Sequence, residues 1–430
     1  MKTSGKKAKP SMVVLILVVL FVLFMGYRAN QNDGVSNTSS PPDEATYAVR
    51  GPHPVGIRDL VIEGEMPLDI RIWYPALNSD NLEEKIKYPY EIKIGAPLGN
   101  VSIASFQGRA LREAPFDSPT SPYPLVVLSP GFSIGASSYA WLAEHLVSYG
   151  FVVVSPEHHE TLDPENELWR AAIARPQDIL TVISYVDEQM GSDGVFAGLV
   201  DPNLVAVVGH SYGGYTSLAA AGARIDTHAF QSQCESARET NEPGAWLCEQ
   251  LLPHMADMAS LAGLASIPEE LWPAWADPRV DAIVPMAGDA FFFGQAGLAE
   301  ITVPVLAIGG TLDNDSPFTW GTHPTYEYSS SPKKVKVALE GAEHMIFTGP
   351  CQSTPRLLKF FTDEFCSDSS WDRNYAHSLV KHFTTAFLLS ELKQDSAASD
   401  ALEPTSVKFP DVAYEAQGYV AARGAESNVR

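Results

Sequence analysis

Positive charge is scarce in this chain. Its 430 residues include 29 lysines and arginines against 52 aspartates and glutamates, which gives a formal net charge of −23 at pH 7. A surface of this sign repels the phosphate backbones of DNA and RNA. The shortage of basic residues therefore excludes nucleic acid as a partner.

Metal-binding patterns are also lacking. The sequence has no Cys-x-x-Cys pair and no two histidines separated by three residues, the spacings typical of zinc sites. His158 and His159 invite a metal interpretation, but adjacent histidines rarely converge on one ion, and we expect them to line a pocket instead. We expect neither a metal nor an organic cofactor.

Cysteine is limited to four residues, Cys234, Cys248, Cys351 and Cys366. Four cysteines allow three pairings, and we predict the two local ones, Cys234 with Cys248 and Cys351 with Cys366. Four reduced, buried thiols are the alternative. Local disulfides would fit an oxidising compartment outside the cytoplasm.

Long apolar runs are confined to the N-terminus, where an uninterrupted run covers residues 12–25 after four lysines. This run is long for the core of a signal peptide and short for a spanning helix. No clear small-x-small cleavage site follows it. We expect an uncleaved single-pass anchor with its N-terminus in the cytoplasm and the body periplasmic or otherwise outside; a cleaved signal peptide and secretion are the alternative.

The domain organisation follows from this pattern. We divide the chain into a basic cytoplasmic segment (1–10), the anchor or signal peptide (11–27), a flexible linker (28–46), one globular domain (47–420) and a tail (421–430). The sequence contains no internal repeat and predicts no particular oligomeric state.

Strands and helices alternate through the globular domain. Apolar, β-branched runs predict strands at residues 69–74, 123–129, 151–156, 204–208, 280–286, 303–309 and 335–339. Helical spacing separates several of them, as at 139–149 and 170–189. We expect residues 86–116 to be irregular. The alternation predicts an α/β fold with a mostly parallel, twisted sheet and helices on both faces.

One strand runs directly into a Gly-x-Ser-x-Gly motif, Gly209-His210-Ser211-Tyr212-Gly213, and a small-residue helical pattern follows. This arrangement is typical of a nucleophile elbow, in which a tight turn presents a serine hydroxyl above the first amides of a helix. Side chains at Gly209 and Gly213 would clash with neighbouring backbone. We therefore predict Ser211 as a nucleophile.

A serine needs a base, and the base needs an orienting acid. In chain order the acid follows the serine, and the histidine follows the acid. Asp313 lies in the loop after strand 303–309, with Asp315 as the alternative, and His344 follows strand 335–339. The backbone amides of Tyr212 and Phe132 are our candidates for the oxyanion hole, because Phe132 follows a Pro-Gly turn beside the elbow.

Several motifs occur together in the order of an α/β-hydrolase: Pro-Leu-Val-Val-Leu-Ser-Pro-Gly-Phe, Gly-Phe-Val-Val-Val-Ser-Pro, Gly-His-Ser-Tyr-Gly-Gly, Gly-Gly-Thr-Leu-Asp-x-x-x-Pro and Gly-Ala-Glu-His. The chain most resembles bacterial relatives of platelet-activating-factor acetylhydrolase, dienelactone hydrolases and polyester-degrading cutinases. In the polyesterases a proline follows the acid by four residues. Asp313 and Pro317 keep that spacing, which favours Asp313 over Asp315.

The resemblance implies a serine hydrolase of carboxylic esters that works through an acyl-enzyme. The substrate would be a small or lipid-like ester, of short to medium chain length or an acetyl ester resembling a phospholipid. Dienelactone hydrolases use a cysteine nucleophile, so Ser211 argues against that activity. Asp289 lies near the place where polyesterases carry an aromatic residue, so the resemblance does not predict polymer hydrolysis.

The sequence gives weaker signals for the residues that contact the substrate than for the three catalytic residues. His210, Asp289 and Phe291 are our candidates, and the run Phe291-Phe292-Phe293 could equally belong to the core. Residues 223–275, which hold the first cysteine pair and three tryptophans, form either a cap over the site or a peripheral helical insertion.

Two other functions were weighed. Exported serine peptidases of this fold use the same triad but usually carry a separate gating domain, and no segment of this sequence fits one. A non-catalytic binding protein would be expected to lack one of the three catalytic residue types.

Overall fold

A ten-stranded sheet organises the molecule. The computed structural model describes residues 45–118, 122–191, 193–354, 362 and 365–420. The strands are β1 (Val55–Ile62), β2 (Leu68–Pro75), β3 (Ile86–Gly95), β4 (Gly99–Gly108), β5 (Leu111–Arg112), β6 (Tyr123–Ser129), β7 (Val152–Pro156), β8 (Val200–His210), β9 (Val280–Met286), β10 (Val305–Gly310), β11 (Lys334–Leu339) and β12 (Val412–Gln417).

The main sheet has the order β12-β11-β10-β9-β8-β6-β7-β2-β1-β5. Its six central strands, β7, β6, β8, β9, β10 and β11, are parallel. Antiparallel strands flank them, β2 beside β7 and β12 beside β11. The expected mostly parallel sheet is confirmed.

Helices cover both faces of the sheet. They are α1 (Ala140–Ser148), α2 (Pro164–Glu188), α3 (Tyr212–Ala220), α4 (Thr227–Thr240), α5 (Ala245–Leu251), α6 (Met255–Leu261), α7 (Gly294–Leu298), α8 (Thr322–Tyr328), α9 (Arg373–Lys393) and α10 (Ser396–Asp400). Short 3₁₀ turns occupy Thr46–Ala48, Ala136–Tyr139, Leu252–His254 and His344–Phe347.

Alternate residues of each central strand enter two separate cores. Val127, Val205 and Val207 face α2, α3 and the residues of 223–275. Val126 and Val208 face the opposite core, to which α1 and α9 contribute. Full burial on both faces explains why these strands read as continuous apolar runs in the sequence.

The prediction that residues 86–116 are irregular was wrong. β3 and β4 form an antiparallel hairpin outside the main sheet, and β5 adds a short edge strand beside β1. Tyr88, Tyr90 and Ile92 alternate along β3 and are buried. The hairpin can include Pro89 because its partner Ser105 points its N–H away from β3, to the carbonyl of Ser353, so no hydrogen bond between the two strands is lost at this pair.

Helix α2 shows how the sequence ties a helix to the elbow. Pro176 lies inside it and has no N–H to donate to the carbonyl of Ala172. The hydroxyl of Tyr215, on α3, donates to that carbonyl at 2.8 Å instead. In the same way Tyr212 donates its hydroxyl to the carbonyl of Leu168 at 2.8 Å. Two tyrosines of α3 therefore fix α2 against the helix that follows Ser211.

Both predicted disulfides are confirmed. Cys234 and Cys248 join α4 to α5 with a Cα–Cα distance of 5.5 Å. Cys351 and Cys366 are joined with a Cα–Cα distance of 5.6 Å. Bonds of this kind persist in oxidising compartments, which supports a location outside the cytoplasm.

The predicted anchor, most of the linker and the tail lie outside the described residues. Within the part of the chain that the structure describes, no helix is both long enough and apolar enough to cross a membrane.

Candidate active site

Ser211 stands at the carboxyl end of β8, in the tight turn that leads into α3. Its backbone has φ 57° and ψ −122°, a strained conformation for a residue with a side chain. A Cβ at Gly209 would overlap the carbonyl oxygen of Gly213, and one at Gly213 would overlap that of Ser129. The two glycines are therefore required for the turn, as the sequence indicated.

Ser211, His344 and Asp313 lie in one hydrogen-bonded line. The Oγ of Ser211 is 2.8 Å from Nε2 of His344, and Nδ1 of His344 is 2.6 Å from Oδ2 of Asp313. With Nδ1–H donated to the carboxylate, Nε2 is left to accept the serine proton. The three side chains come from the loops after β8, β10 and β11, because parallel strands deliver their carboxyl ends to one edge of the sheet.

Asp313, and not Asp315, contacts the histidine. The second carboxylate oxygen of Asp313 accepts the backbone N–H groups of Asp315 at 2.9 Å and Ser316 at 2.8 Å. Asp315 thus helps to hold Asp313 through its backbone. The side chain of Asp313 is buried, so its orientation towards the imidazole is fixed.

The charge state of His344 is governed by the acids around it. Burial alone would lower the pKa of this imidazole, but the charge and hydrogen bond of Asp313 outweigh burial, and Asp315 and Asp289 add to them. Together they raise the pKa of His344 to about 9. The site therefore strongly favours the imidazolium that forms when the serine proton is transferred.

Asp289 lies in the loop after β9 and is almost completely buried. Its Oδ1 accepts the hydroxyl of Ser316 at 2.6 Å. Burial raises the pKa of Asp289 to about 7, even though the hydrogen bond from Ser316 and the charge of His344 act in the opposite direction. The predicted substrate-binding residue is thus a buried acid behind the Asp313 loop.

Phe132 and Tyr212, the residues predicted for the oxyanion hole, lie next to each other beside Ser211. Tyr212 is the first residue of α3, and its ring meets that of Phe132 edge to face at 6.0 Å. The neighbouring amides of Gly131 and Ser133 donate to Tyr139 and Glu160. Among the described residues the Phe132 amide has no partner, so it is available to a ligand.

His210 is fully buried beneath the site. Its Nε2 is 3.1 Å from the carbonyl oxygen of His344, so Nε2 carries the proton and Nδ1 must accept. The hydroxyl of Tyr139 donates to Nδ1 at 2.8 Å and accepts the N–H of Gly131 at 3.0 Å. This chain of hydrogen bonds joins the Phe132 loop to the His344 loop. The substrate contact predicted for His210 would need surface that its side chain does not expose.

A second Ser-His-Asp set lies nearby. Ser129 Oγ is 2.9 Å from Nε2 of His158, whose Nδ1 is 2.7 Å from Oδ2 of Asp178. Ser129 is fully buried at the end of β6, so its hydroxyl cannot meet a substrate. His158 therefore holds the base of the Phe132 loop and does not line a pocket, whereas His159 is exposed.

The three phenylalanines after β9 are mainly core. Phe292 and Phe293 are fully buried and pack on Tyr215. Phe291 is 5% exposed and lies between Phe230 and Trp320. A role for Phe291 in substrate binding remains a prediction.

Residues 223–275 border the site on one side. Glu242 accepts the indole N–H of Trp320 at 2.6 Å, and a Cβ at Gly244 would press on the Trp320 ring and on Pro317. Both partners belong to the loop that carries Asp313. Trp272, by contrast, is buried inside the segment, where its indole donates to Thr227 at 2.9 Å. The segment supports the Asp313 loop, and its buried tryptophan does not form a roof.

Sequence reasoning missed the residues that hold the Phe132 loop from below. Arg175 and Glu160 form a buried ion pair there, and Tyr139 bonds to both Gly131 and His210. An arginine within a helix and a glutamate after a strand look like surface charges in a sequence. Only the fold brings them beneath one loop.

Two family models match the chain. The model described as "PET hydrolase-like" matches residues 101–244, which include Phe132 and Ser211. The model described as "Platelet-activating factor acetylhydrolase, isoform II" matches residues 38–163. Each match covers about a third of the chain.

Three individual proteins are also similar in sequence to parts of this chain. A bis(hydroxyethyl) terephthalate hydrolase of Streptomyces coelicolor is 33% identical over 160 residues, which are 35% of this chain and 48% of that protein. Cutinase est1 of Thermobifida alba is 25% identical over 272 residues, 61% of this chain and 70% of the relative. Cutinase 2 of Thermobifida cellulosilytica is 32% identical over 107 residues, 25% of this chain and 37% of the relative.

The chain thus spans about half the length of the first of these relatives and about two thirds of the second. The sheet and the elbow are those of the α/β-hydrolase fold, and the chain is similar in sequence to the PET hydrolase-like and platelet-activating-factor acetylhydrolase families and, more distantly, to cutinases.

Proposed function

We propose that the protein hydrolyses small carboxylic esters through an acyl-enzyme on Ser211. The observation that carries this proposal is the unbroken hydrogen-bonded line from Ser211 through His344 to Asp313. Nucleophile, base and orienting acid are already within bonding distance of one another, in the roles that ester hydrolysis needs.

In the first half of the reaction His344 takes the proton of Ser211 as the hydroxyl oxygen attacks the ester carbonyl. Asp313 keeps Nδ1 protonated and stabilises the imidazolium. The amides of Phe132 and Tyr212 bind the oxyanion of the tetrahedral intermediate. His344 then gives its proton to the departing alcohol, which leaves the acyl group on Ser211.

In the second half a water molecule attacks the acyl-enzyme with His344 as general base. The same two amides stabilise the second oxyanion. Collapse of this intermediate releases the carboxylic acid and returns the proton to Ser211. The cycle consumes one ester and one water.

We place the preferred substrate among esters of short to medium acyl chain, including acetyl esters of lipid-like alcohols. The support is the packing of residues 223–275 against Trp320, which walls one flank of the Asp313 loop and argues against an open groove. Each buried methylene contributes about 0.8 kcal/mol until the chain outgrows the pocket. We therefore expect kcat/KM to rise from acetate to butyrate or hexanoate and then to fall.

A panel of p-nitrophenyl esters from acetate to palmitate tests both parts of the proposal. Ser211→Ala should abolish turnover of every ester while the melting temperature stays close to that of the wild type. Bis(hydroxyethyl) terephthalate and a polyester film belong in the same panel, because relatives carry those activities in their names. Highest activity on palmitate or on film would refute the small-substrate assignment and leave the nucleophile unaffected.

The second Ser-His-Asp set provides an internal control. A fluorophosphonate probe followed by peptide mass spectrometry should modify Ser211 and leave buried Ser129 unmodified. Modification of Ser129, or of neither serine, would contradict the assignment of the nucleophile.

A further inference from the structure

The loop that carries Phe132 rests on a buried ion pair. Arg175, on α2, and Glu160, after β7, are both buried and form a salt bridge. Nη1 of Arg175 donates to the carbonyl of Pro130 at 2.7 Å, and Nη2 donates to the carbonyl of Gly131 at 3.0 Å. Glu160 accepts the N–H of Ser133 at 3.2 Å. The pair therefore holds this loop on both sides of Phe132.

Because the peptide unit is planar, the same hydrogen bonds also fix the direction of one amide N–H. The bond between Gly131 and Phe132 is trans, so its C=O and its N–H point in opposite directions. Arg175 binds the C=O, and the Phe132 N–H must therefore point away from the guanidinium. The N–H of Ile134 binds the same oxygen at 3.2 Å and closes the turn. Rotation of this peptide unit would break both bonds at once.

The backbone of the loop requires such support. Ser133 has φ 57°, in the left-handed region that non-glycine residues rarely adopt. Its N–H is held by Glu160, whose own charge is secured by the ion pair. Burial alone would raise the pKa of Glu160, but the positive charge of Arg175 outweighs burial and holds that pKa well below its ordinary value. The ion pair thus favours the ionised carboxylate of Glu160.

We propose that Arg175 and Glu160 are positioning residues for the oxyanion hole: they fix the direction of the Phe132 N–H and so determine how well the tetrahedral intermediate is stabilised. This inference rests on the proposed function, because it assigns a role in that reaction to residues that do not touch the substrate. Loss of the pair should therefore affect the transition state and the bound substrate to different extents. Loss of the pair weakens binding of the transition state more than binding of the substrate.

Arg175→Met tests the inference, with Arg170→Met as the matched control. Arg170 lies on the same helix but is exposed and stacks on Trp169. We expect Arg175→Met to lower kcat by about 10²–10³-fold, the usual effect of losing one oxyanion donor, with KM changed less than about threefold. Arg170→Met should leave both unchanged.

A boronic acid that forms a tetrahedral adduct with the nucleophile gives the decisive reading. Its inhibition constant should rise in Arg175→Met by about the same factor as kcat falls. A purely structural role would lower the melting temperature and leave that constant unchanged in the folded fraction. An unchanged inhibition constant, or an unchanged kcat, would overturn the inference.

A second variant covers the case in which Arg175→Met does not fold. Removing one partner of a buried pair leaves an uncompensated charge, whereas removing both charges avoids it. The double variant Arg175→Met/Glu160→Gln keeps an acceptor for Ser133 and should fold with low kcat and weak boronate binding. Wild-type activity in this double variant would refute the inference alone. A wild-type protein that neither turns over esters nor reacts with a fluorophosphonate would refute the proposed function and the inference together.

Discussion

At the scale of single residues, the carboxylate of Asp313 determines which ring nitrogen of His344 carries the proton. Asp313→Asn would present an amide that can donate to Nδ1 and so favour the wrong tautomer. We expect kcat to fall by about 10⁴-fold, as in other Ser-His-Asp enzymes. Steady-state kinetics on a p-nitrophenyl ester would measure this.

Asp315→Asn is the matched control, since it removes the same charge two residues away and keeps the backbone N–H that binds Asp313. Its kcat should stay within about tenfold of the wild type. A large loss in Asp315→Asn with a mild effect of Asp313→Asn would reverse the assignment of the acid.

The same histidine determines the pH dependence of activity. A general base must be neutral, and acids beside His344 raise its pKa from 6.5 to about 9. The neutral form is therefore gained only as pH rises towards that value. We expect kcat/KM to increase between pH 7 and 9 and to level off above it. A fall in kcat/KM at low pH with its midpoint at or below pH 6.5 would contradict the raised pKa of His344.

Asp289 affects stability in a pH-dependent way. Its pKa is about 7 in the folded protein and 3.8 without burial, so the native state holds this proton more tightly than the unfolded state. Stability is therefore lost as pH rises from about 4 to 7. The loss is on the order of 4 kcal/mol by the free energy of one pKa unit.

Asp289→Asn keeps an acceptor for Ser316 and removes this loss. We expect the variant to melt above the wild type at pH 8 and close to it at pH 4. Asp226→Asn, at the N-cap of α4, is the control, because it removes a carboxylate that is only partly buried. Equal melting temperatures for Asp289→Asn and the wild type at pH 8 would show that ionisation of Asp289 does not reduce the stability of the folded protein.

Much of the site follows from the sequence, because chain order and strand ends place Ser211, Asp313 and His344. Arg175 and Glu160 do not follow, because nothing in their neighbours distinguishes a buried ion pair from two solvated charges. The burial of His210, a candidate for substrate contact, does not follow from the sequence either. Its burial results from packing between three loops, which no local pattern reports.

At the scale of elements, the disulfide between Cys351 and Cys366 is linked to the His344 loop. Arg373, in the first turn of α9, donates to the carbonyl of Met345 at 2.6 Å and to that of Phe365 at 3.0 Å. These residues adjoin His344 and Cys366. Replacing both cysteines with serine should cost about 3 kcal/mol of stability and should also lower kcat.

Replacing Cys234 and Cys248 with serine is the matched comparison. The loop is of similar length, so the loss of stability should be similar. Its contact with the site, Glu242 with Trp320, lies farther along the chain from Asp313 than Met345 lies from His344. We expect kcat to change less than in the other pair. Thermal melting and kinetics on both variants test this, and equal losses of kcat would argue against a link between the second disulfide and His344.

The elements were predicted unevenly for a physical reason. β9 was predicted at its observed bounds because a strand buried on both faces is apolar throughout. β3 was not predicted although Tyr88, Tyr90 and Ile92 alternate, and Pro89 within it is a residue that is unfavourable in strands. The start of α2 at Pro164 was also missed, since its first turns are polar and their role lies in bonds to α3.

At the scale of the whole molecule, the net charge of −23 opposes the compact state. Self-repulsion of this kind is screened by salt, over about 10 Å at 0.1 M. We expect the melting temperature to rise by several degrees between 10 mM and 500 mM NaCl. Choline chloride at equal ionic strength should act similarly, and a fall in melting temperature with both salts would show that attractive ion pairs dominate.

The first described residues lie against the end of α1. His145 bonds to the carbonyl oxygen of Tyr47 at 2.8 Å, and Tyr149 donates to the carbonyl of Val49 at 2.7 Å. Helix α1 ends at Ser148, just before β7 begins at Val152, so this contact marks the amino ends of the parallel strands. Ser211 lies at their carboxyl ends. The described domain therefore begins at the edge of the sheet opposite the one that carries Ser211.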